Sequence, residues 1–251
     1  MARRAIVVGP AIVYGSFGPR GRTRGEVSRL IKQASYFKRK EGMSVAEFQE
    51  YWRVRHAAVV QELPHLTRYV QNHVLPASYA QVEPAFDGIA EVWFESIDVM
   101  RDNAEHPALA RIRADEANFI DPASMGSIIA EERVVRAPEA GRPWVKLMAL
   151  VKRLETLPLT EFRQRYGETL APMVIAMPEV AGYIQSYCRE GAYRDGREPA
   201  FDALASLFLE DPAALTAVVG SDEMAAVRDY ERGIFRLDSI RAAVVREVPI
   251  V

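Results

Sequence analysis

The feature that most constrains this chain is that it repeats itself. Lys38-Arg39 recurs as Lys152-Arg153, 114 residues later. At the same offset Phe48 meets Phe162, Ala57 meets Ala171, Pro64 meets Pro178, Tyr69 meets Tyr183 and Gln71 meets Gln185. One residue is then inserted, and Glu83-Pro84-Ala85-Phe86-Asp87 returns as Glu198-Pro199-Ala200-Phe201-Asp202 at offset 115. Chance does not produce a five-residue identity in register with so many scattered matches. The 251 residues therefore divide into two homologous units, 31–136 and 143–251, joined by a Pro/Gly linker at 137–142. A segment of 1–30 precedes them.

Each unit has the pattern β-α-β-β-α-β. Short apolar runs at 33–39 and 145–153 read as strands. Ser44 and Thr160 are N-cap candidates, and Glu47 completes a capping box in the first unit. The helices that follow run to Leu63 and Met177, where Pro64 and Pro178 stop them. Alternating strands follow at 66–75 and 88–95, and at 180–188 and 203–210. A second helix is expected over 98–118 and 211–231, and a last strand over 127–135 and 239–248. This order predicts an α+β chain of two tandem ferredoxin-like units. Each has helices on one face of its sheet, so the other face must be covered. The economical solution is for the antiparallel sheets to face each other and close a barrel.

Strand alternation assigns the faces. Val70, Val74 and Cys188 suit the helix side. Tyr69, Gln71 and His73, with Glu91 and Trp93 from the next strand, are then expected inside the barrel, as is Tyr187 from the second unit. An apolar wall with a few polar groups is the composition of a ligand pocket.

The string Phe37-Lys38-Arg39-Lys40-Glu41-Gly42-Met43-Ser44, followed by Phe48, Tyr51-Trp52, His56, Pro64 and Arg68-Tyr69-Val70, resembles the EthD domain. That family belongs to the dimeric α+β barrel superfamily. The resemblance implies a barrel normally built from two chains, here fused. It also implies small cofactor-free enzymes (polyketide cyclases, dehydratases, decarboxylases, lactone isomerases, quinone-forming monooxygenases) or accessory proteins without assigned chemistry.

The two units differ chemically. All four histidines, His56, His65, His73 and His106, lie in the first. His56 aligns with Leu170, His73 with Tyr187, Glu91 with Ser206 and Trp52 with Tyr166. One active cavity is therefore expected, in the first unit. Histidine has the right intrinsic pKa for acid/base work. The catalytic candidates are His56, His73, Glu91 and Tyr69, with His73 and Glu91 as a possible pair. Trp52, Arg55, Gln71, Trp93, Tyr36 and Tyr187 are candidate substrate contacts. His65 is expected to be exposed, and His106 to border the cavity mouth.

Other classes are excluded or disfavoured. No H-E-x-x-H, G-x-S-x-G or Gly-rich phosphate loop occurs, and the single cysteine, Cys188, cannot build a thiolate metal cage. Neither cofactor nor metal is expected. The first 32 residues hold seven basic side chains against one acid, but the chain as a whole is at −2. The body is therefore acidic and unsuited to nucleic acid. The sequence has no run of about 18 apolar residues, so no membrane partner is expected. The lone cysteine fits a cytoplasmic setting, and the chain would act as a monomeric pseudo-dimer or a homodimer. The resulting expectation is a lyase or isomerase acting by histidine acid/base chemistry on a small, hydrophobic, oxygenated molecule of polyketide or aromatic type. The alternatives are a non-catalytic binding protein and a cofactor-free monooxygenase.

Overall fold

A computed structural model describes residues 27–80 and 82–251. The basic segment expected at 1–30 lies outside the described residues except for its last four positions, which belong to the first strand. Eight strands run in chain order: β1 (Val27–Phe37), β2 (Arg68–Val74), β3 (Gly88–Phe94), β4 (Gly126–Arg136), β5 (Val145–Val151), β6 (Gly182–Cys188), β7 (Ala203–Leu209) and β8 (Arg241–Pro249). They form one closed antiparallel barrel in the order β1-β3-β2-β8-β5-β7-β6-β4. The four strands of each half would leave two free edges. Closure removes them by pairing β2 with β8 and β4 with β6. Hydrogen bonds thus run continuously around both halves.

Helix α1 covers 45–60. It starts at Ser44, whose side chain accepts from the Glu47 N–H while Glu47 caps back, as the sequence predicts. In the second half the corresponding helix, α4, covers 159–176, but its N-cap is Pro158, not Thr160. Both helices contain a π turn, Trp52–His56 and Arg165–Leu170. The single second helix expected in each half is instead a pair: α2 (Ile97–Asp102) and α3 (Pro107–Glu116), then α5 (Pro212–Gly220) and α6 (Asp222–Glu231). His106-Pro107 makes the first break: His106 is extended and its ring caps α3. Ser221 makes the second, capping α6.

The motifs shared by the two halves hold the barrel together. Arg39 donates to Asp87 from both its backbone N–H and its guanidinium, each at 2.7 Å, and reaches the Met43 carbonyl. Arg153 repeats this with Asp202 and Leu157. These bonds tie the β2–β3 and β6–β7 connections to the ends of β1 and β5. Phe86 and Phe201, inside the repeated pentapeptide, are then buried in the core within the barrel. The repeated Tyr-x-Gln serves the π turns. An i→i+5 bond runs from the Ala57 N–H to the Trp52 carbonyl, and Gln71 Nε2 donates to the same oxygen at 2.8 Å and to the Tyr69 hydroxyl at 3.0 Å. Gln185 does the same for Tyr166 and Tyr183.

That arrangement reverses the expected faces of β2 and β6. Tyr69, Gln71 and His73 lie on the helix side, and Val70, Asn72 and Val74 face inward; Val74 packs with Ile89, Met148 and Val245. Cys188 is likewise inside the barrel, buried, with its thiol pushed up to about 11 by desolvation. On β3 the expected parity holds. Glu91 and Trp93 are internal, while Val92 and Phe94 pack under the helices.

Candidate functional site

The barrel interior, where sequence reasoning placed the ligand, is occupied by packed apolar side chains that include Ile89, Met148 and Leu204. Its polar content is a buried ion network. Lys32, 1% exposed, donates to Glu91 at 2.6 Å and to Glu132 at 2.8 Å. Lys146 is the corresponding lysine of the second half, where the neighbouring strand has Ser206 at the position of Glu91. It reaches across the barrel to Asn72 at 2.7 Å, Glu247 at 3.0 Å and Glu91 at 3.4 Å. Asn72 also donates to Glu91, and Trp93 Nε1 to Glu132 at 3.0 Å. Burial alone would raise the Glu91 carboxyl; Lys32 and Lys146 outweigh it and hold the group far below the usual carboxylate range. Glu91 is therefore a fixed counter-ion. The expected His73–Glu91 pair does not form, because the two residues occupy opposite faces of the sheet.

The cavity lies in the first half, between the outer face of the sheet and helices α1–α3. It measures about 480 Å³ and is lined by Phe37, Val60, Phe94, Met100 and Ile112 among other apolar side chains. In the second half, the matching positions belong to a continuous apolar cluster that includes Tyr166, Leu170, Leu207 and Met224.

His56 closes the π turn of α1 and lines this cavity. Its ring is buried against Phe119, with centroids 4.7 Å apart. Nδ1 lies 2.8 Å from Asp115 Oδ2 near the end of α3. Asp115 is fixed from its other side: Tyr51 donates to Oδ1 at 2.7 Å and Asn118 at 3.2 Å. Burial tends to raise the Asp115 carboxyl, but the bonds from Tyr51, His56 and Asn118 prevail and hold it low. An ionised carboxylate only accepts, so Nδ1 carries the proton and Nε2 is left as the basic nitrogen. Nε2 has no protein partner among the described residues. Desolvation lowers the His56 pKa, partly opposed by Asp115, so the imidazole is neutral near pH 7.

Glu116, next to Asp115, also lines the cavity, and burial raises its carboxyl. Trp52 and Tyr69 complete the wall beneath α1. Trp52 Nε1 donates to the Tyr69 hydroxyl at 3.0 Å, and burial pushes that phenol strongly upward. The Trp52 ring lies directly on Gly88, where a Cβ would come within 2.3 Å of it. Only glycine allows so close an approach. In the second half Tyr166 and Ala203 take these places.

The remaining candidates fall outside the cavity. His73 stacks on the far side of Trp52 at 4.4 Å and bonds to Gln71 Oε1. Burial, with Arg53 and Arg246 nearby, brings it down to about 4. Gln71 is consumed by the π turn. Arg55 is exposed and covers Tyr51. Trp93 and Tyr36 belong to the barrel interior, Tyr36 edge-on to Phe201. Tyr187 belongs to the second half, where its hydroxyl donates to Gln185. His65 is exposed as expected, and His106 is exposed and used as a cap. Glu116 in the cavity wall and Asp115 behind His56 are groups that sequence reasoning missed. Their signal is a paired difference between halves: His56 and Asp115 become Leu170 and Tyr230 together. Among the described residues, no cluster of three or more His, Cys, Asp or Glu could hold a metal ion. No helix there is long and apolar enough to cross a membrane.

Fold and site together define an antiparallel α+β barrel with one polar-edged cavity beneath its helices. Solved structures share this fold across most of their length. An anthrone oxidase-like protein matches with a TM-score of 0.63 and 8% identity, over 89% of this chain and 94% of its own. A proposed monooxygenase from Fusobacterium nucleatum matches at 0.57 and 7%, over 87% and 92%. A chlorite dismutase variant from Candidatus Nitrospira defluvii matches at 0.51 and 8%, over 89% and 92%. At these identities the likeness concerns the fold. No curated protein matches the sequence at a significant level. Within the first half, residues 40–123 match the EthD domain model.

Proposed function

We propose that this protein is a cofactor-independent acid/base enzyme of lyase or isomerase type, acting on a small, largely apolar, oxygenated molecule. In this reading the chain is a tandem of two ferredoxin-like units, one carrying the site and the other completing the barrel. The observation that supports the reading is the Asp115–His56 dyad, with Nε2 unclaimed beside a cavity. His56 removes a proton next to a carbonyl or phenol of the bound molecule. Asp115 holds the tautomer and stabilises the imidazolium that forms. Glu116, whose carboxyl burial raises, is placed to return a proton. The apolar walls keep water out and strengthen each of these interactions.

The test needs no knowledge of the natural substrate. 2-Tetralone carries acidic protons beside its ketone, and their exchange in D2O is read by NMR. The protein accelerates this exchange, and His56→Ala removes the acceleration, a loss on the order of 10²–10⁴-fold. Equal exchange with and without His56 would sink the assignment.

A second reading uses the same base. The neighbours described as monooxygenase and anthrone oxidase-like suggest that a deprotonated, electron-rich aromatic could react with dioxygen in the cavity. Oxygen consumption during turnover of a hydroxylated aromatic separates this from lyase chemistry. A non-catalytic binding role would show neither oxygen uptake nor exchange.

A further inference from the structure

The floor of the cavity carries a polar strip that neither the acid/base groups nor the barrel requires. Gln33 and Ser35 lie on β1, on its helix side, and Ser127 lies across from Ser35 on β4. Gln33 Nε2 donates to Ser35 Oγ at 3.1 Å. The Gln33 side-chain oxygen Oε1 and the two hydroxyl protons have no protein partner among the described residues. Ser35 is buried, Gln33 half-buried and Ser127 exposed at the rim beside Met125. The strip therefore leads from the mouth into the cavity.

The second half shows what the fold needs at these positions. The matching residues are Leu147, Ala149 and Ala242, in the same register: Ser35 pairs with Ser127 and Ala149 with Ala242. The polar strip is thus lost in the half that also lacks His56 and Asp115. A buried hydroxyl such as that of Ser35 costs stability unless something bonds to it, and the half-buried Gln33 and exposed Ser127 extend its hydrogen-bonding capacity toward the mouth. Here the protein itself satisfies only one of the contacts.

The charges around the cavity narrow the ligand further. Its ionisable lining groups are His56, Tyr69, Arg113 and Glu116. Tyr69 is bonded to Trp52 and Gln71, and Arg113 is exposed. Among the described residues, no buried cation is available there to meet a carboxylate.

We infer that Gln33, Ser35 and Ser127 form a specificity site for the oxygen-bearing edge of an uncharged, mainly apolar ligand, by hydrogen bonds to a hydroxyl or carbonyl. This rests on the proposed use of the same cavity for acid/base chemistry, and it names the class of molecule admitted there. The strip orients the oxygenated edge, and the apolar wall holds the ring system.

The experiment compares three probes that share one ring system, 1-naphthol, naphthalene and 1-naphthoate, by equilibrium dialysis. The native chain binds 1-naphthol about three- to tenfold more tightly than naphthalene, the gain expected of one or two neutral hydrogen bonds. It binds 1-naphthoate more weakly than 1-naphthol. The triple variant Gln33→Leu, Ser35→Ala, Ser127→Ala adopts the residues of the second half. It retains naphthalene, which reports an intact cavity, while the naphthol preference falls below twofold. If the triple variant does not fold, Gln33→Leu alone removes most of the preference. An unchanged preference, tightest binding of 1-naphthoate, or no binding of 1-naphthol to the native chain overturns the assignment. His56→Ala separates the two claims. It abolishes exchange on 2-tetralone but keeps the naphthol preference, so either claim can fail while the other stands.

Discussion

The buried network inside the barrel gives a prediction with an order as well as a size. Two lysines, Lys32 and Lys146, face three carboxylates, Glu91, Glu132 and Glu247, and Arg68 approaches Glu247 from outside at 3.3 Å. Among the described residues, Lys32→Met leaves Lys146 as the one internal cation for three carboxylates, and Glu132 keeps only the Trp93 N–H. Removing one partner of a buried pair costs about 3–5 kcal/mol, because the other charge is left uncompensated. Glu91→Gln is milder. Each lysine then retains one carboxylate, and the new amide can still accept from Lys32. Its expected cost is about 1–3 kcal/mol. Urea denaturation of the two variants reads the difference. For a chain of this size each kcal/mol also moves the melting temperature by about 2–4 °C. The double change Lys32→Met, Glu91→Leu removes opposite charges together and recovers part of the single-lysine loss. Glu91→Gln leaves exchange on 2-tetralone unaffected, because Glu91 faces away from the cavity. A Glu91→Gln protein less stable than Lys32→Met, or one that folds normally but has lost exchange, would refute this account of the network.

Three further outcomes follow from the packing around α1. Gly88→Ala drives a methyl into the Trp52 ring and is expected to cost about 1–3 kcal/mol, whereas Ala203→Gly under the smaller Tyr166 costs about 1 kcal/mol or less; thermal melts compare the two. His73 titrates at about 4 in the folded chain and near 6.5 when unfolded. The unfolded chain therefore binds the extra proton, and stability falls as pH drops from 6.5 toward 4, by up to about 3 kcal/mol. His73→Phe, which keeps the stack on Trp52, flattens that part of the stability–pH curve. Glu116→Gln keeps the fold and lowers exchange turnover while leaving naphthalene affinity within twofold, as dialysis and NMR would show.

The barrel was legible in the sequence because Lys-Arg and Tyr-x-Gln recur at an offset of 114 and the pentapeptide at 115, and each proves to be a structural tie. The face of β2 was not legible. Six of its seven residues are buried, so both sides carry signals of burial and alternation cannot separate them. The rule that apolar residues face the helices failed because the π turn of α1 needs Gln71 beneath it and Tyr69 beside Trp52. His56 was found through its place on α1. Asp115 was not, because it arrives from 59 residues away on α3, and no local motif links the two. The break within each second helix was hidden by apolar periodicity running across a capping residue. Gln33 and Ser35 looked like ordinary strand residues until the cavity gave their side a meaning.

The most direct test of the acid/base site is the pH dependence of 2-tetralone exchange in the native chain, His56→Ala and Asp115→Asn. Burial lowers the His56 pKa from its ordinary 6.5, so native exchange is predicted to be flat near neutrality and to fall below pH 6.5 as the single base is protonated. Asp115→Asn lowers the plateau, and His56→Ala abolishes both plateau and inflection. An inflection that survives in His56→Ala, or a native profile with no protonation step below pH 6.5, would contradict the central claim.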